Sequence, residues 1–280
     1  MKKVFFIFVI MCFSIMLNAQ RQPLELPLWP NGAPNSNGFS GEEQHVVREW
    51  GLTISNVSNP TITVYRPANP NGMAIIACPG GGYMFLSINL EGHDMASWLN
   101  AQGITLAVLK YRMPNGHHDV PLSDAEQAMR LMRQHVNEWQ LNPNKIGIMG
   151  ASGGGHLAAT LANIFSGADT RPDFQILLYP SINVMAGRPI LLGENPSDDL
   201  KRRYSADLQV KENTPPAFIT VSSDDTAVQS SILYYKSLLE KKIPVCLHAY
   251  PSGGHGWGFR DSFVYKRQWT EELEKWLRTL

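Results

Sequence analysis

Cysteine is scarce in this chain: three residues in 280, at positions 12, 78 and 246, too few for a disulfide framework. Cys78 and Cys246 each lie in an apolar, strand-like run, the usual setting of an unpaired thiol buried as a small hydrophobe. Net charge is missing as well. Lysine and arginine total 24 against 24 acidic residues, so no basic field exists to hold nucleic acid. No internal repeat or low-complexity stretch occurs, and no apolar run reaches the ~20 residues a membrane-spanning helix needs. Metal-ligand clusters are also lacking. His117-His118-Asp119 is the one candidate, and adjacent side chains rarely converge on one ion, so a solvated loop is expected there, with no metal and no cofactor.

What is present points to one globular domain. Apolar residues make up 44% of the chain and charged ones 17%, a balance that suits an enzyme rather than a disordered or fibrous chain. The amino terminus stands apart: Lys2 and Lys3, an apolar run from Val4 to Leu17, then Asn18-Ala19-Gln20. This order reads as a secretory leader over residues 1–19, cleaved after Ala19. It predicts a secreted or periplasmic protein with no membrane contact once the leader is gone. Residues 20–280 then form a single domain, opening on an arm over 20–51 whose Pro, Gly and Asn content predicts an extended course on the surface.

After the arm, strand-like and helical stretches alternate. Thr61 to Tyr65, Met73 to Cys78, Ile104 to Leu109, Lys145 to Met149, Phe174 to Tyr179, Ala217 to Ser222 and Val245 to Tyr250 read as strands. Glu91 to Gln102, His156 to Asn163 and Gln229 to Lys241 read as helices. A further helix is expected where Leu122, Ala125, Met129, Met132, Val136 and Trp139 step by three and four, with Ser123-Asp124-Ala125-Glu126 as a capping box. Short, unalternating apolar strands between helices predict an α/β fold: a mostly parallel sheet covered by helices on both faces. Residues 181–216 break the rhythm. Such an insert is expected over the carboxyl ends of the strands, as part of a cleft wall.

The chemistry concentrates in three glycine-rich segments. Gly150-Ala151-Ser152-Gly153-Gly154 is a G-x-S-x-G sequence between a strand and a helix, the setting in which a sharp turn lifts a serine hydroxyl above a sheet. A serine hydroxyl is a poor nucleophile until a base takes its proton. His255, in Gly253-Gly254-His255-Gly256 just after the last strand, is the histidine whose place in the chain suits that role, because the order serine, acid, histidine belongs to this type of site. Asp224 and Asp225 lie between the two, and either can orient the imidazole, leaving the other as a turn former. Pro79-Gly80-Gly81-Gly82-Tyr83 follows a strand and offers backbone N–H groups for an oxyanion, with the N–H of Gly153 as a further donor. Phosphate binding there is disfavoured, since neither a P-loop lysine nor G-x-G-x-x-G spacing is present.

These segments, with Leu28-Trp29-Pro30-Asn31-Gly32-Ala33-Pro34, Glu91-Gly92-His93-Asp94 and Asp224-Asp225-Thr226-Ala227-Val228, resemble the bacterial acetyl-xylan-esterase-like α/β hydrolases. That family is related to the hormone-sensitive-lipase and feruloyl-esterase branches. The resemblance spans nearly all of the chain after the leader and implies a three-layer α/β-hydrolase sandwich. It selects Asp225 over Asp224, the triad aspartate of the family lying three positions before the valine that matches Val228. It also implies a Ser152, His255, Asp225 acyl-enzyme mechanism, an oxyanion hole of Gly81, Gly82 and Gly153, and an acylated plant polysaccharide such as acetylated xylan as substrate. Pro79 in place of histidine, Gly153 in place of alanine and Gln229 in place of proline depart from relatives without touching the triad. Tyr83 and Trp257 are the aromatic candidates for contact with sugar. The alternatives are a feruloyl esterase or serine peptidase of the same fold, and a glycan-binding protein with a vestigial triad.

Overall fold

The computed structural model describes residues 22–280, so the leader expected over 1–19 lies outside the described residues. Ten strands follow one another: β1 (Leu24–Pro27), β2 (Gln44–Arg48), β3 (Gly51–Ser55), β4 (Thr61–Tyr65), β5 (Ala74–Cys78), β6 (Thr105–Lys110), β7 (Ile146–Ala151), β8 (Gln175–Leu178), β9 (Ala217–Ser222) and β10 (Val245–Tyr250). The helices are α1 (Ala96–Ala101), α2 (Asp119–Gln134), α3 (Ser152–Ile164), α4 (Pro189–Leu192), α5 (Asp198–Tyr204), α6 (Val228–Glu240) and α7 (Lys266–Leu277). Eight strands form one sheet in the order β1-β4-β6-β5-β7-β8-β9-β10. β1 and β4 run antiparallel to their neighbours, and the sheet is parallel from β6 onward.

The unalternating apolar sequences are explained by burial on both sides. Every residue of β5, β7, β8 and β9 is buried, which requires cover over both faces of the sheet. α2 and α3 pack together as one layer. α1 and α7 meet as another, where the Trp98 indole donates to Glu274 at 2.8 Å. No helix among the described residues is long and apolar enough to cross a membrane.

Three expectations about local structure are corrected. The capping box does not form. α2 starts at Asp119, with Pro121 in its first turn, where the missing N–H costs nothing. Ser123 therefore sits inside the helix and donates to the Val120 carbonyl. Glu126, the other member of the box, accepts the Ser166 N–H at 2.7 Å instead, and Asp124 between them is buried against Arg112 at 2.7 Å and the Trp29 indole. The helix expected from Glu91 begins later: a 3-10 turn at His93–Met95 precedes α1, which leaves Glu91 free of the helix.

The arm over 20–51 is also more structured than its composition suggests. Leu24 and Leu26 are half-buried while Glu25 and Pro27 are exposed, and β1 pairs with β4 to become the sheet edge. β2 and β3 form a separate hairpin whose turn carries Glu49 and Trp50.

Candidate active site

Ser152 occupies the junction of β7 and α3 with φ +51°, a left-handed conformation that costs a non-glycine residue energy and persists only where surrounding contacts enforce it. Close packing supplies the enforcement. A Cβ on Gly154, one turn into α3, would overlap the carbonyl of Cys78 and come within 2.5 Å of that of Pro79. Glycine there lets the helix press directly on the end of β5.

The three residues separated along the chain meet above these strand ends. His255 Nδ1 lies 2.8 and 2.9 Å from the two oxygens of Asp225. Carboxylates only accept, so Nδ1 carries the proton and Nε2 is left as an acceptor. The Ser152 hydroxyl donates to that Nε2 at 2.7 Å. Asp225 is buried and also accepts the Ala227 N–H at 2.7 Å, which fixes its orientation. Asp224 takes the turn-forming role. Its carboxylate accepts from Gly254 at 2.9 Å and Gly253 at 3.2 Å. Those N–H groups, Gly254 first, hold its pKa below the ordinary aspartate value.

Gly81 and Gly82 face this serine across the cavity. Neither N–H has a hydrogen-bond partner among the described residues, and the Gly153 N–H belongs to the first turn of α3, where no intrahelical acceptor exists. Gly81 has φ +132°, and a Cβ on it would overlap the Phe85 carbonyl. Only glycine lets the loop fold back so tightly. Unpartnered backbone donors beside a nucleophile are what an oxyanion needs as it forms.

Sequence reasoning missed the residue that secures this loop. Glu91 is buried, accepts the Gly80 N–H at 2.7 Å through one oxygen, and accepts the Tyr179 hydroxyl at 2.7 Å through the other. The Tyr179 oxygen in turn accepts the Gly258 N–H at 2.8 Å. The Tyr179 ring stands edge-on to His255 with centroids 5.0 Å apart. Burial raises the Glu91 pKa, an effect opposed by the Tyr179 and Gly80 hydrogen bonds. Nothing local distinguishes Glu91 in sequence; its Glu-Gly-His-Asp motif is the only signal, and that signal carries no role.

A cavity of about 560 Å³ surrounds Ser152 and His255. Its walls correct two further expectations. None of the lining residues comes from 181–216; Glu49 and Trp50 of the β2–β3 turn stand there instead. The insert packs behind the loop, with the Arg188 guanidinium 5.8 Å from the Tyr83 ring. Tyr83 and Trp257 present no surface for sugar, being 1% and 2% exposed. Their polar tips are used internally, Tyr83 on His156 at 2.8 Å and Trp257 on Ser222 at 3.1 Å. Of His117-His118-Asp119, His118 packs on Tyr204 and meets its hydroxyl at 2.7 Å, while His117 and Asp119 are exposed. Cys78 and Cys246 are unpaired, the first buried and the second half-buried.

Comparison with known proteins finds relatives in sequence and in fold. A family model described as alpha/beta hydrolase fold matches residues 75–206. An acetylxylan esterase of Xylanibacter ruminicola is 36% identical over 85% of this chain and 52% of its own length. Endo-1,4-beta-xylanase B of Butyrivibrio fibrisolvens is 35% identical over 65% of this chain and 32% of its own. The chain thus spans about half or less of these two curated relatives. The crystal structure of an acetyl ester-xyloside bifunctional hydrolase from Caldicellulosiruptor lactoaceticus superposes with TM-score 0.76 at 32% identity, covering 91% of this chain and 96% of that one. With its mostly parallel sheet, its strained serine between β7 and α3 and these relatives, the chain belongs to the α/β-hydrolase family.

Proposed function

We propose that this protein is a secreted serine carboxylesterase that removes acetyl or related acyl groups from plant polysaccharides such as xylan. The observation that carries the reading is the unbroken hydrogen-bonded line from Ser152 through His255 to Asp225, with contacts of 2.7 and 2.8 Å. As the Ser152 oxygen attacks the ester carbonyl, His255 Nε2 takes its proton and Asp225 balances the imidazolium. The carbonyl oxygen gains negative charge and is held by the N–H groups of Gly81, Gly82 and Gly153. Collapse breaks the bond to the sugar oxygen, which takes the proton from His255 as it departs and leaves as a hydroxyl. Water then attacks the acyl-enzyme by the same route, releasing acetate and restoring Ser152. No step calls for a metal or organic cofactor.

Xylan enters the proposal through the acetylxylan esterase and the acetyl ester-xyloside hydrolase that the chain resembles. Export rests on the leader-like residues 1–19 alone, and mass spectrometry of the mature amino terminus tests it. The enzymatic test is acetate release from acetylated xylan beside turnover of p-nitrophenyl acetate, with Ser152→Ala as control. Turnover retained in the Ser152→Ala protein refutes the nucleophile. Cleavage of peptides in preference to acetyl-sugars would make the protein a peptidase, preference for feruloylated fragments would change the acyl group, and failure of an organophosphonate to label Ser152 would leave only a glycan-binding role.

A further inference from the structure

Beside the catalytic cavity lies a second and larger one, of about 810 Å³. The two share a wall: Glu49 and Trp50 from the hairpin turn, Leu90, and Arg260 from the segment after His255 line both. An acetyl group on a small alcohol has no use for a second cavity of this size, close to the upper end of the ~300–1,000 Å³ typical of ligand sites. We infer that this second cavity is a subsite for the neutral sugar backbone of a polymer whose ester is held at Ser152. The inference rests on the esterase reading above and adds to it where the rest of the chain lies and which residues hold it.

The lining favours an uncharged polyol. Both signs are present, carboxylates at Glu49, Asp94 and Asp261 and cations at Arg260 and Lys266, so no excess positive charge selects an anionic chain. Vicinal sugar hydroxyls are donors and acceptors at once and can use both kinds of group. Asp261 and Lys266 are already paired at 2.6 Å. Glu49, Asp94 and Arg260 are exposed and have no ion-pair partner among the described residues, so their hydrogen-bonding capacity is available. Arg260 is also anchored: its N–H donates to Trp257 and its carbonyl accepts from Phe263. The guanidinium thus extends from a fixed turn.

Two aromatic rings border this space, and only one is open. Phe259 has the Lys266 ammonium 3.7 Å from its ring centre and Trp98 packed at 5.5 Å. Trp50 is 39% exposed and has the Arg48 guanidinium 5.6 Å from its ring, which helps to steady it. A steadied indole offers a flat, polarisable surface to the apolar C–H face of a pyranose ring at little entropic cost.

The test compares kcat/KM for acetate release from acetylated xylohexaose and acetylated xylobiose, each at one acetyl per chain. In the wild-type protein the hexaose is expected to be favoured by about tenfold, the scale of one hydrogen bond to a charged group. Trp50→Ala and Arg260→Ala should bring that ratio towards one, acting through KM of the longer substrate. Because the ratio is the readout, any loss common to both substrates cancels. A separate titration of Ser152→Ala protein with unacetylated xylohexaose should show binding that Arg260→Ala weakens. A wild-type ratio near one, or a ratio that survives both substitutions, overturns the subsite while leaving the esterase reading intact. Turnover of p-nitrophenyl acetate with both oligosaccharides inert overturns the polysaccharide reading and the subsite together. Gain with acyl length in p-nitrophenyl esters, without gain along the sugar series, assigns the cavity to an acyl chain and also overturns it.

Discussion

The Glu91 carboxylate and the Tyr179 hydroxyl meet at 2.7 Å, and this contact ties the loop of Gly80, Gly81 and Gly82 to the loop that carries His255. Glu91 grips the first through the Gly80 N–H, and Tyr179 grips the second through Gly258. The glycine loop and His255 are therefore positioned against one another by a buried side chain that touches neither Ser152 nor His255 by hydrogen bond.

Glu91→Gln is expected to lower kcat for p-nitrophenyl acetate by about tenfold with KM little changed, a partial loss beside the 10²–10³ of removing one oxyanion donor outright. The amide can keep the bond to Gly80 but turns a donor toward Tyr179, whose oxygen already accepts from Gly258. Steady-state kinetics check the split; a rise in KM at constant kcat would assign Glu91 to substrate binding instead.

The two neighbouring aspartates should separate cleanly. Asp225→Asn places an amide against His255 Nδ1 and favours the wrong tautomer, with an expected fall in kcat of about 10⁴. Asp224→Asn loses only charge-assisted bonds to Gly253 and Gly254 on an exposed carboxylate, and a fall below about tenfold is expected. Equal losses would show that loop position matters as much as the imidazole's orientation.

His156 is expected to set an acid limit on stability. Burial pulls its pKa from 6.5 down to about 4, more than its hydrogen bond to the Tyr204 carbonyl restores. The folded state thus binds fewer protons than the unfolded chain between those values. The sign follows: stability is fully present above pH 6.5 and is lost as pH falls towards 4, by about 3 kcal/mol at most. Urea unfolding from pH 7 to pH 4.5 measures it, and His156→Gln should flatten the decline.

Tyr83→Phe should act on the fold. It removes the 2.8 Å partner of His156 Nδ1 and leaves only the more distant Thr160 hydroxyl at 3.4 Å, at a cost of about 1 kcal/mol for the lost buried hydrogen bond. Chemical denaturation reads that cost. The hexaose-to-biose ratio should be unchanged, and a selective loss on the longer sugar would return Tyr83 to the substrate.

Ser152 and His255 were legible because their recognition depends on local order. A glycine-flanked serine between a strand and a helix has one common geometric use, and chain order leaves His248 and His255, of which the first lies within a strand. Tyr83 and Trp257 were misread because adjacency to a glycine-rich loop says nothing about which way a ring turns; both rings turn inward, where their polar tips find partners. The hairpin wall was hidden for a related reason. Residues 20–51 have the composition of a loose arm, and only docking beside Leu90 and Phe85 brings Trp50 to the cavity.

By itself the sequence determined the parallel sheet, since unbroken apolar runs between helices must be buried on both sides. It also marked Ser152, His255 and the glycine-rich loop as the candidate site, each by its neighbours in the chain. Tertiary structure decided the rest: which aspartate meets His255 in space, that Glu91 and Tyr179 lock two loops together, and that a hairpin rather than the insert walls the site. Those outcomes depend on contacts between residues far apart along the backbone, where direction and burial follow from packing and leave no periodic trace.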